Sequence, residues 1–255
     1  RWDINSREDA INYAEKKGIK LTVTKEKIYS RDQNLWHISH EGGDIEQLEN
    51  EHNEEVLYMM VTPPERAKDT PTYVDITFEK GLPVKVDGES LSPATLLQKL
   101  NKIAGENGVG VADIVENRIV GMKSRGIYET PGGTLLMESL MELETIVFDK
   151  DTLNFKKLVS QKYAEIAYNG QWFTPIKYAL DAFVDSIDEV LTGTIKLKLY
   201  KGHIKIAGRF TENALYDEGI SSFGSSELYS HKDAEGFIKL FSLPNTIRAY
   251  KKLSK

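Results

Sequence analysis

Hydrophobic and polar residues alternate strictly in two separate parts of the chain. Alternation across residues 72–86, interrupted by a turn at residues 80–81, predicts a β-hairpin with one buried face. The same pattern across residues 193–210 predicts a second hairpin. The inward positions of the two hairpins are Val74, Ile76, Phe78, Val84, Val86, Ile195, Leu197, Leu199, Ile204 and Ile206.

Apolar residues recur at helical spacing in several other segments. Ser6, followed by acidic residues, predicts the start of a helix that ends near Gly18. Ser92 and Pro93 are typical of the first residues of a helix, here one that ends near Gly105. Further helices are predicted at residues 134–148, 154–168 and 175–191 and from residue 233 onward, and a short strand at residues 21–24.

Strands and helices form separate blocks instead of alternating one by one. This order predicts an α+β fold, with an antiparallel sheet, helices packed on it and a protruding C-terminal helical arm. The predicted domains are residues 1–222 and the arm at residues 223–255, divided near a Ser- and Gly-rich stretch. An amphipathic arm of this kind is expected to pack on its own domain or on another subunit.

Residues 28–55 are polar and show little periodicity, which predicts a long loop. Loops of this length are usually functional or mobile. Hydroxyl, amide, imidazole and carboxylate groups are concentrated there, and the hydroxyls could bind the ends of a zwitterion. Ser30 has a second interpretation, as the N-cap of a short helix through Asn34, which the local sequence favours.

Residues 113–133 combine apolar pairs with a dense set of charged residues and four glycines. The glycines allow the backbone to turn or to approach another group closely. We interpret the segment as a binding surface for a polar small molecule. A solvated edge strand followed by a glycine-rich turn explains the same pattern equally well.

Composition narrows the choice of function. The chain has 255 residues, 40% of them hydrophobic, and a net charge of −6, so it has no global basic field for nucleic acid or an anionic membrane. It contains no cysteine, which excludes disulfides and thiolate metal sites. Without a long apolar run or a signal peptide, we expect a soluble cytosolic protein. Because the sequence starts at Arg1 just ahead of a helix, we also expect a fragment.

Several common chemistries lack support in the sequence. His37 and His40 have the spacing of two metal ligands, but the other histidines have no matching partners, so we reject a metal site. The acidic run at residues 44–55 is interpreted as solvated surface. Residues 105–110 follow a predicted helix and are interpreted as its C-cap and turn, not a phosphate loop. No serine has the Gly-x-Ser-x-Gly context of acyl transfer.

Two motifs stand out in the polar segment: one consists of Tyr29, Ser30, Asp32, Asn34 and Leu35, and the other of His37, Ile38, Ser39, Glu41 and Gly43. Together with residues 113–133, these motifs resemble the argininosuccinate synthase family. Residues near both ends of the chain, at 2–10 and 233–240, are also similar to this family, so the likeness covers nearly the whole chain.

The resemblance implies a carbon–nitrogen ligase that joins L-citrulline to L-aspartate, cleaving ATP to AMP and pyrophosphate through a citrullyl-adenylate. Carried over by motif, the citrulline contacts fall on Ser30, Ser39, Glu116 and Tyr128. A cytoplasmic homotetramer is implied, with the C-terminal arm packing on a neighbouring subunit. The family's pyrophosphatase-type loop has no match here, so ATP, with Mg expected, and aspartate are assigned mainly to an upstream nucleotide-binding domain.

Other interpretations remain open. The chain could be a non-catalytic module that binds a ureido or guanidino amino acid, or that only mediates assembly. A different ATP-dependent amidating ligase is disfavoured by the four predicted citrulline contacts. From charge type alone, we hypothesise that Arg118, Lys123 and Arg125 steady phosphate or carboxylate groups.

Overall fold

A computed structural model describes residues 3–20, 29–221 and 230–253. The chain divides into two compact units, with the boundary between Asn213 and Ala214. The first unit contains two antiparallel sheets and most of the helices, and the second unit is helical. The strand predicted at residues 21–24 lies outside the described residues.

The described elements are numbered in chain order, strands and helices separately. The strands are β1 (Ser30–Gln33), β2 (Ile38–Glu41), β3 (Thr72–Glu79), β4 (Leu82–Val86), β5 (Glu89–Ser90), β6 (Val111–Asn117), β7 (Lys123–Glu129), β8 (Gly193–Tyr200) and β9 (His203–Phe210). The helices are α1 (Arg7–Lys16), α2 (Glu54–Leu57), α3 (Pro93–Glu106), α4 (Pro131–Val147), α5 (Lys150–Tyr168), α6 (Pro175–Asp188), α7 (Glu218–Ser221), α8 (His231–Phe241) and α9 (Leu243–Leu253). Short 3-10 turns occur at Gly43–Glu46 and Pro64–Arg66.

The larger sheet has the strand order β5-β4-β3-β8-β9, and both predicted hairpins lie in it. Its apolar face forms the main core with residues of α3 and α4, because alternation places every second side chain on that face. Phe78, Ile76 and Ile195 are almost fully buried there, as are Leu100 and Leu135 from the two helices. The predicted α+β fold with antiparallel strands is therefore confirmed.

The smaller sheet has the order β1-β2-β7-β6. Its β1–β2 hairpin occupies the segment predicted to be a loop, so that prediction is wrong. The N-cap interpretation of Ser30 is also wrong, because Ser30 is the first residue of β1. The edge-strand interpretation of residues 113–133 is correct for β6, most of which is exposed.

Helix α4 starts directly after β7 and thereby joins the smaller sheet to the main core. It begins at Pro131, three residues before the predicted start, so Gly132 and Gly133 lie within its first turn. A Cβ atom at Gly133 would lie 2.7 Å from the Trp36 ring. These glycines therefore permit close packing, where the sequence suggested a turn.

The second unit contains α7, α8 and α9. The C-terminal segment, predicted as one amphipathic stretch, forms two helices separated at Ser242, the C-cap of α8. Several large apolar side chains of α8 are exposed, including Phe237, Leu240 and Phe241. Across the described ranges, no helix is both long and apolar enough to cross a membrane.

Candidate functional site

The four residues predicted to contact citrulline lie on one face of the smaller sheet. Ser30 pairs with Glu41 across β1 and β2, and Ser39 pairs with Tyr128 across β2 and β7. Tyr128 in turn pairs with Ala112 of β6, four residues before Glu116. Because residues two apart in a strand share a face, the register brings all four onto the same surface.

Tyr128 and Glu116 are in direct contact on this face. The Tyr128 hydroxyl donates a hydrogen bond of 2.7 Å to Glu116 Oε1. Burial, followed by the hydrogen bond to Glu116, raises the pKa of Tyr128 above its usual range, so the hydroxyl stays protonated at neutral pH. The pair therefore presents one hydroxyl and one carboxylate side by side.

Gly126 makes this arrangement possible. It precedes Tyr128 by two residues on β7 and lies on the same face, under the tyrosine ring. A Cβ atom at position 126 would lie 2.9 Å from Tyr128 Cε2, closer than such atoms approach in practice. The ring can therefore extend over the strand toward Glu116 only because this position has no side chain.

The two serines occupy different environments. Ser39 is buried in the central strand β2, and its hydroxyl donates a 3.4 Å hydrogen bond to the Asp32 carbonyl oxygen. Ser30 lies at the start of the edge strand β1 and is exposed. Asp32, opposite Ser39 in the register, adds a carboxylate to the same face. The site therefore combines hydroxyls with carboxylates, a donor and acceptor set suited to a zwitterion.

Arg118 is the cation closest to this face among the three hypothesised from charge type. Its guanidinium lies 2.8 Å from Glu41 Oε2, and its Nε donates to the Ser124 hydroxyl at 3.2 Å. Lys123 donates to Asn117 Oδ1 at 2.8 Å. Both side chains are bound to other residues at the turn that connects β6 and β7.

Arg125 has a structural role, which corrects the hypothesis for this residue. It points to the opposite face, where its guanidinium forms two hydrogen bonds with the Asp113 carboxylate at 2.9 and 2.6 Å. The hydrogen bond from Arg125 holds the pKa of Asp113 below its usual range. The same guanidinium also donates to the carbonyl oxygens of Ile45, Gln47 and Asn50. A side chain engaged in this way is not available for a phosphate group.

His40 is fully buried on the opposite face of the sheet from Ser39 and bonds to Glu129. Within the parts of the chain that the structure describes, no group of three or more histidine, aspartate or glutamate residues is arranged to hold a metal ion. The contact between His40 and Glu129 could not be recognised from the sequence. Two polar residues in otherwise buried strands are a weak signal, and only the register shows that they meet.

Comparisons with known proteins identify the family to which this chain belongs. The family model for the arginosuccinate synthase C-terminal domain matches residues 29–248. An argininosuccinate synthase of Clostridium botulinum (strain Langeland) is 65% identical over 250 residues, which cover 98% of this chain and 63% of the relative. An argininosuccinate synthase of Clostridium acetobutylicum is 62% identical over 254 residues, covering the whole of this chain and 63% of that relative. The chain thus spans about 63% of the length of these curated relatives, and it belongs to the argininosuccinate synthase family.

Proposed function

We propose that this chain forms the citrulline-binding part of an argininosuccinate synthase, a carbon–nitrogen ligase. The observation that carries the proposal is the Tyr128–Glu116 pair, which lies on one sheet face with Ser30 and Ser39. Membership of the family supports it, since the similar proteins are named argininosuccinate synthases. The proposed enzyme is cytoplasmic, as predicted from the sequence.

The proposed reaction has two steps. The ureido oxygen of L-citrulline attacks the α-phosphorus of ATP, and pyrophosphate leaves to give a citrullyl-adenylate. The amine of L-aspartate then attacks the ureido carbon, and AMP leaves with the electron pair of the broken C–O bond. The contribution of this chain is to hold citrulline in the orientation for both attacks.

The charges of the face suggest how citrulline binds. Glu41 is neutralised by Arg118, whereas Glu116 accepts only a neutral hydroxyl in the described contacts. The Glu116 carboxylate therefore retains its full charge for the α-ammonium group of the substrate. The serine hydroxyls and Tyr128 supply hydrogen bonds to its other polar atoms. The proposal assigns ATP with Mg²⁺, and L-aspartate, mainly to residues outside this chain.

Replacing Tyr128 by Phe is the first test. We expect the citrulline dissociation constant to rise about tenfold, because a hydrogen bond near a charged group contributes about 1.5 kcal/mol. Isothermal titration calorimetry with the full-length gene product measures this change. Tyr73→Phe is the matched control, since Tyr73 is an exposed residue of the larger sheet.

The same gene product is assayed for conversion of citrulline, aspartate and ATP to argininosuccinate, AMP and pyrophosphate. Product formation, together with a weakened Tyr128→Phe variant, supports the proposal. A folded protein that neither binds citrulline nor forms product would contradict it. Citrulline binding without any turnover would instead favour the non-catalytic binding module.

The proposed enzyme is a homotetramer in which the C-terminal helices pack on a neighbouring subunit. Helix α8 presents Phe237, Leu240 and Phe241 as exposed apolar side chains, which are the type of residue that an interface buries. We expect removal of the chain from Ser230 onward to lower the mass of the assembly in light scattering. An unchanged mass in the truncated protein would contradict the assembly role of this segment.

A further inference from the structure

Three polar residues form a connected chain behind the proposed citrulline face. Arg31 Nε donates a hydrogen bond of 3.1 Å to His40 Nδ1, and His40 Nε2 lies 2.7 Å from Glu129 Oε1. His40 and Glu129 are fully buried, while Arg31 is partly buried. We call Arg31, His40 and Glu129 the buried triad.

The hydrogen-bond partners fix the protonation of this triad. An arginine Nε–H group can only donate, so His40 Nδ1 must accept. His40 therefore carries its proton on Nε2 and donates it to Glu129, as a neutral ring. Positive charge on Arg31 and negative charge on Glu129 then lie at the two ends of the triad, with the imidazole between them.

Glu129 is held by more than His40. Its carboxylate oxygens also accept hydrogen bonds of 2.7–2.8 Å from the backbone amides of Met59, Met60 and Val61. Burial raises the pKa of Glu129, but the bonds from His40 and the three amides outweigh burial and keep the pKa below its ordinary value. The carboxylate is thus a fixed anchor for the rest of the triad.

The triad crosses three strands of the smaller sheet. Arg31 and His40 are direct partners across β1 and β2, and His40 and Glu129 are diagonal neighbours across β2 and β7. Because side chains alternate between the faces, the residues next to the triad point the other way. Each of the three has a predicted citrulline contact beside it in sequence: Ser30, Ser39 and Tyr128 respectively.

Strand β1 is anchored on its N-terminal side by Tyr29, which is buried and donates a 2.7 Å hydrogen bond to Asp44, but within the strand itself few contacts fix its position. It is four residues long, it lies at the sheet edge, and three of its four residues are exposed. Register is weakly specified in a short polar strand, and a slip of one residue would turn Ser30 to the opposite face. Arg31 opposes such a slip, because it also donates to the Val56 carbonyl oxygen at 3.2 Å.

We propose that the buried triad is a positioning device that fixes the register of β1, β2 and β7, so that Ser30, Ser39 and Tyr128 are correctly spaced for citrulline. Arg31, His40 and Glu129 are therefore positioning residues, which do not touch the substrate. This inference rests on the proposed function of the opposite face.

Arg31→Met tests the triad at its most accessible member. The variant keeps a long apolar stem but removes both donors, so we expect the KM for citrulline of the full-length gene product to rise about fivefold to tenfold, close to the effect of one hydrogen bond. The KM values for ATP and aspartate should stay unchanged. Arg31→Lys retains a donor group and the positive charge, and should recover part of the affinity. Arg209→Met is the matched control, because Arg209 also lies on a strand and bonds to a carboxylate, Glu142.

Comparing Tyr128→Phe with Arg31→Met separates a failure of the positioning role from a failure of the proposed citrulline-binding function. If Tyr128→Phe weakens citrulline binding and Arg31→Met does not, only the positioning role is wrong. If neither variant changes citrulline binding, the proposed function of the face fails as well. Equal changes in all three KM values would show a general structural effect and overturn the positioning role.

A spectroscopic measurement tests the triad without any variant. Nitrogen-15 NMR of the histidine side chains distinguishes the two neutral tautomers. We expect His40 to carry its proton on Nε2 in the parent protein, and to lose this fixed preference in Arg31→Met. A proton on Nδ1 in the parent protein would overturn the inference, because Arg31 could then not bond to that atom.

Discussion

Replacing Glu116 by Ala is expected to weaken citrulline binding about 100-fold, the largest effect of any change on the proposed face. A hydrogen bond to a charged group contributes about 1.5–3 kcal/mol, and about 1.4 kcal/mol corresponds to a tenfold change in affinity. In the proposed complex, Glu116 supplies the negative charge for the substrate ammonium group, and in the structure it accepts a 2.7 Å hydrogen bond from the Tyr128 hydroxyl. Its removal therefore eliminates one contact and releases another.

Calorimetry on the full-length gene product measures this effect, with Glu138→Ala as the control at an exposed position of α4. Glu116→Gln keeps the acceptor for Tyr128 but loses the charge, so its affinity should lie between those of the parent and the alanine variant. Identical affinities for the parent and Glu116→Ala would show that citrulline does not bind to this face.

The second large effect concerns stability. We expect Glu129→Gln to lower the free energy of unfolding by about 3–5 kcal/mol, because an amide replaces the buried carboxylate that accepts four hydrogen bonds, and each donor left unpaired costs about 1–3 kcal/mol. The amide group of glutamine would also face backbone N–H groups of Met59, Met60 and Val61, which need acceptors. Guanidinium chloride unfolding at pH 7 measures the loss, and Glu138→Gln at an exposed position should change little.

This contribution depends on pH with a definite sign. The folded-state pKa of Glu129 is lowered, so its carboxylate stabilises the fold above the ordinary glutamate value of 4.5. That stability is lost as the pH falls through the lowered pKa. The difference between the parent and Glu129→Gln should therefore narrow in acid. A constant difference from pH 7 down to acid unfolding would contradict the stabilising role of the ionised carboxylate.

The larger sheet could be predicted from the sequence because one of its faces is uniformly apolar. Val74, Ile76 and Phe78 are buried on β3, as are Ile195 and Leu197 on β8, with polar residues between them. A one-sided core of this kind produces strict alternation, which is the strongest signal of a half-buried strand.

The β1–β2 hairpin could not be recognised in this way, because both of its faces carry polar side chains. One face presents Ser30 and Ser39, and the other carries Arg31 and His40, whose burial becomes favourable only through their hydrogen bonds. Alternation between two polar faces leaves no periodic apolar signal. The polar residues on both faces therefore make the hairpin look like a loop in the sequence.

The candidate site residues were assigned through the resemblance, whereas their arrangement on one face could be seen only in the fold. Local patterns contain no information that Ser39 pairs with Tyr128, since strand pairing joins distant segments. Residue charge alone did not predict the role of Arg125. Its guanidinium donates hydrogen bonds to Asp113 and to three carbonyl oxygens on the opposite face. Spacing alone could not distinguish such a structural arginine from a ligand-binding one.

The pairing of β2 with β7 also determines when the site can form during folding. His40 meets Glu129, a residue 89 positions further along the chain. During synthesis, the first hairpin therefore leaves the ribosome well before the strand that completes its sheet, and contacts between such distant residues form slowly. The proposed citrulline face is consequently assembled late, when residues 123–129 arrive and pair with β2.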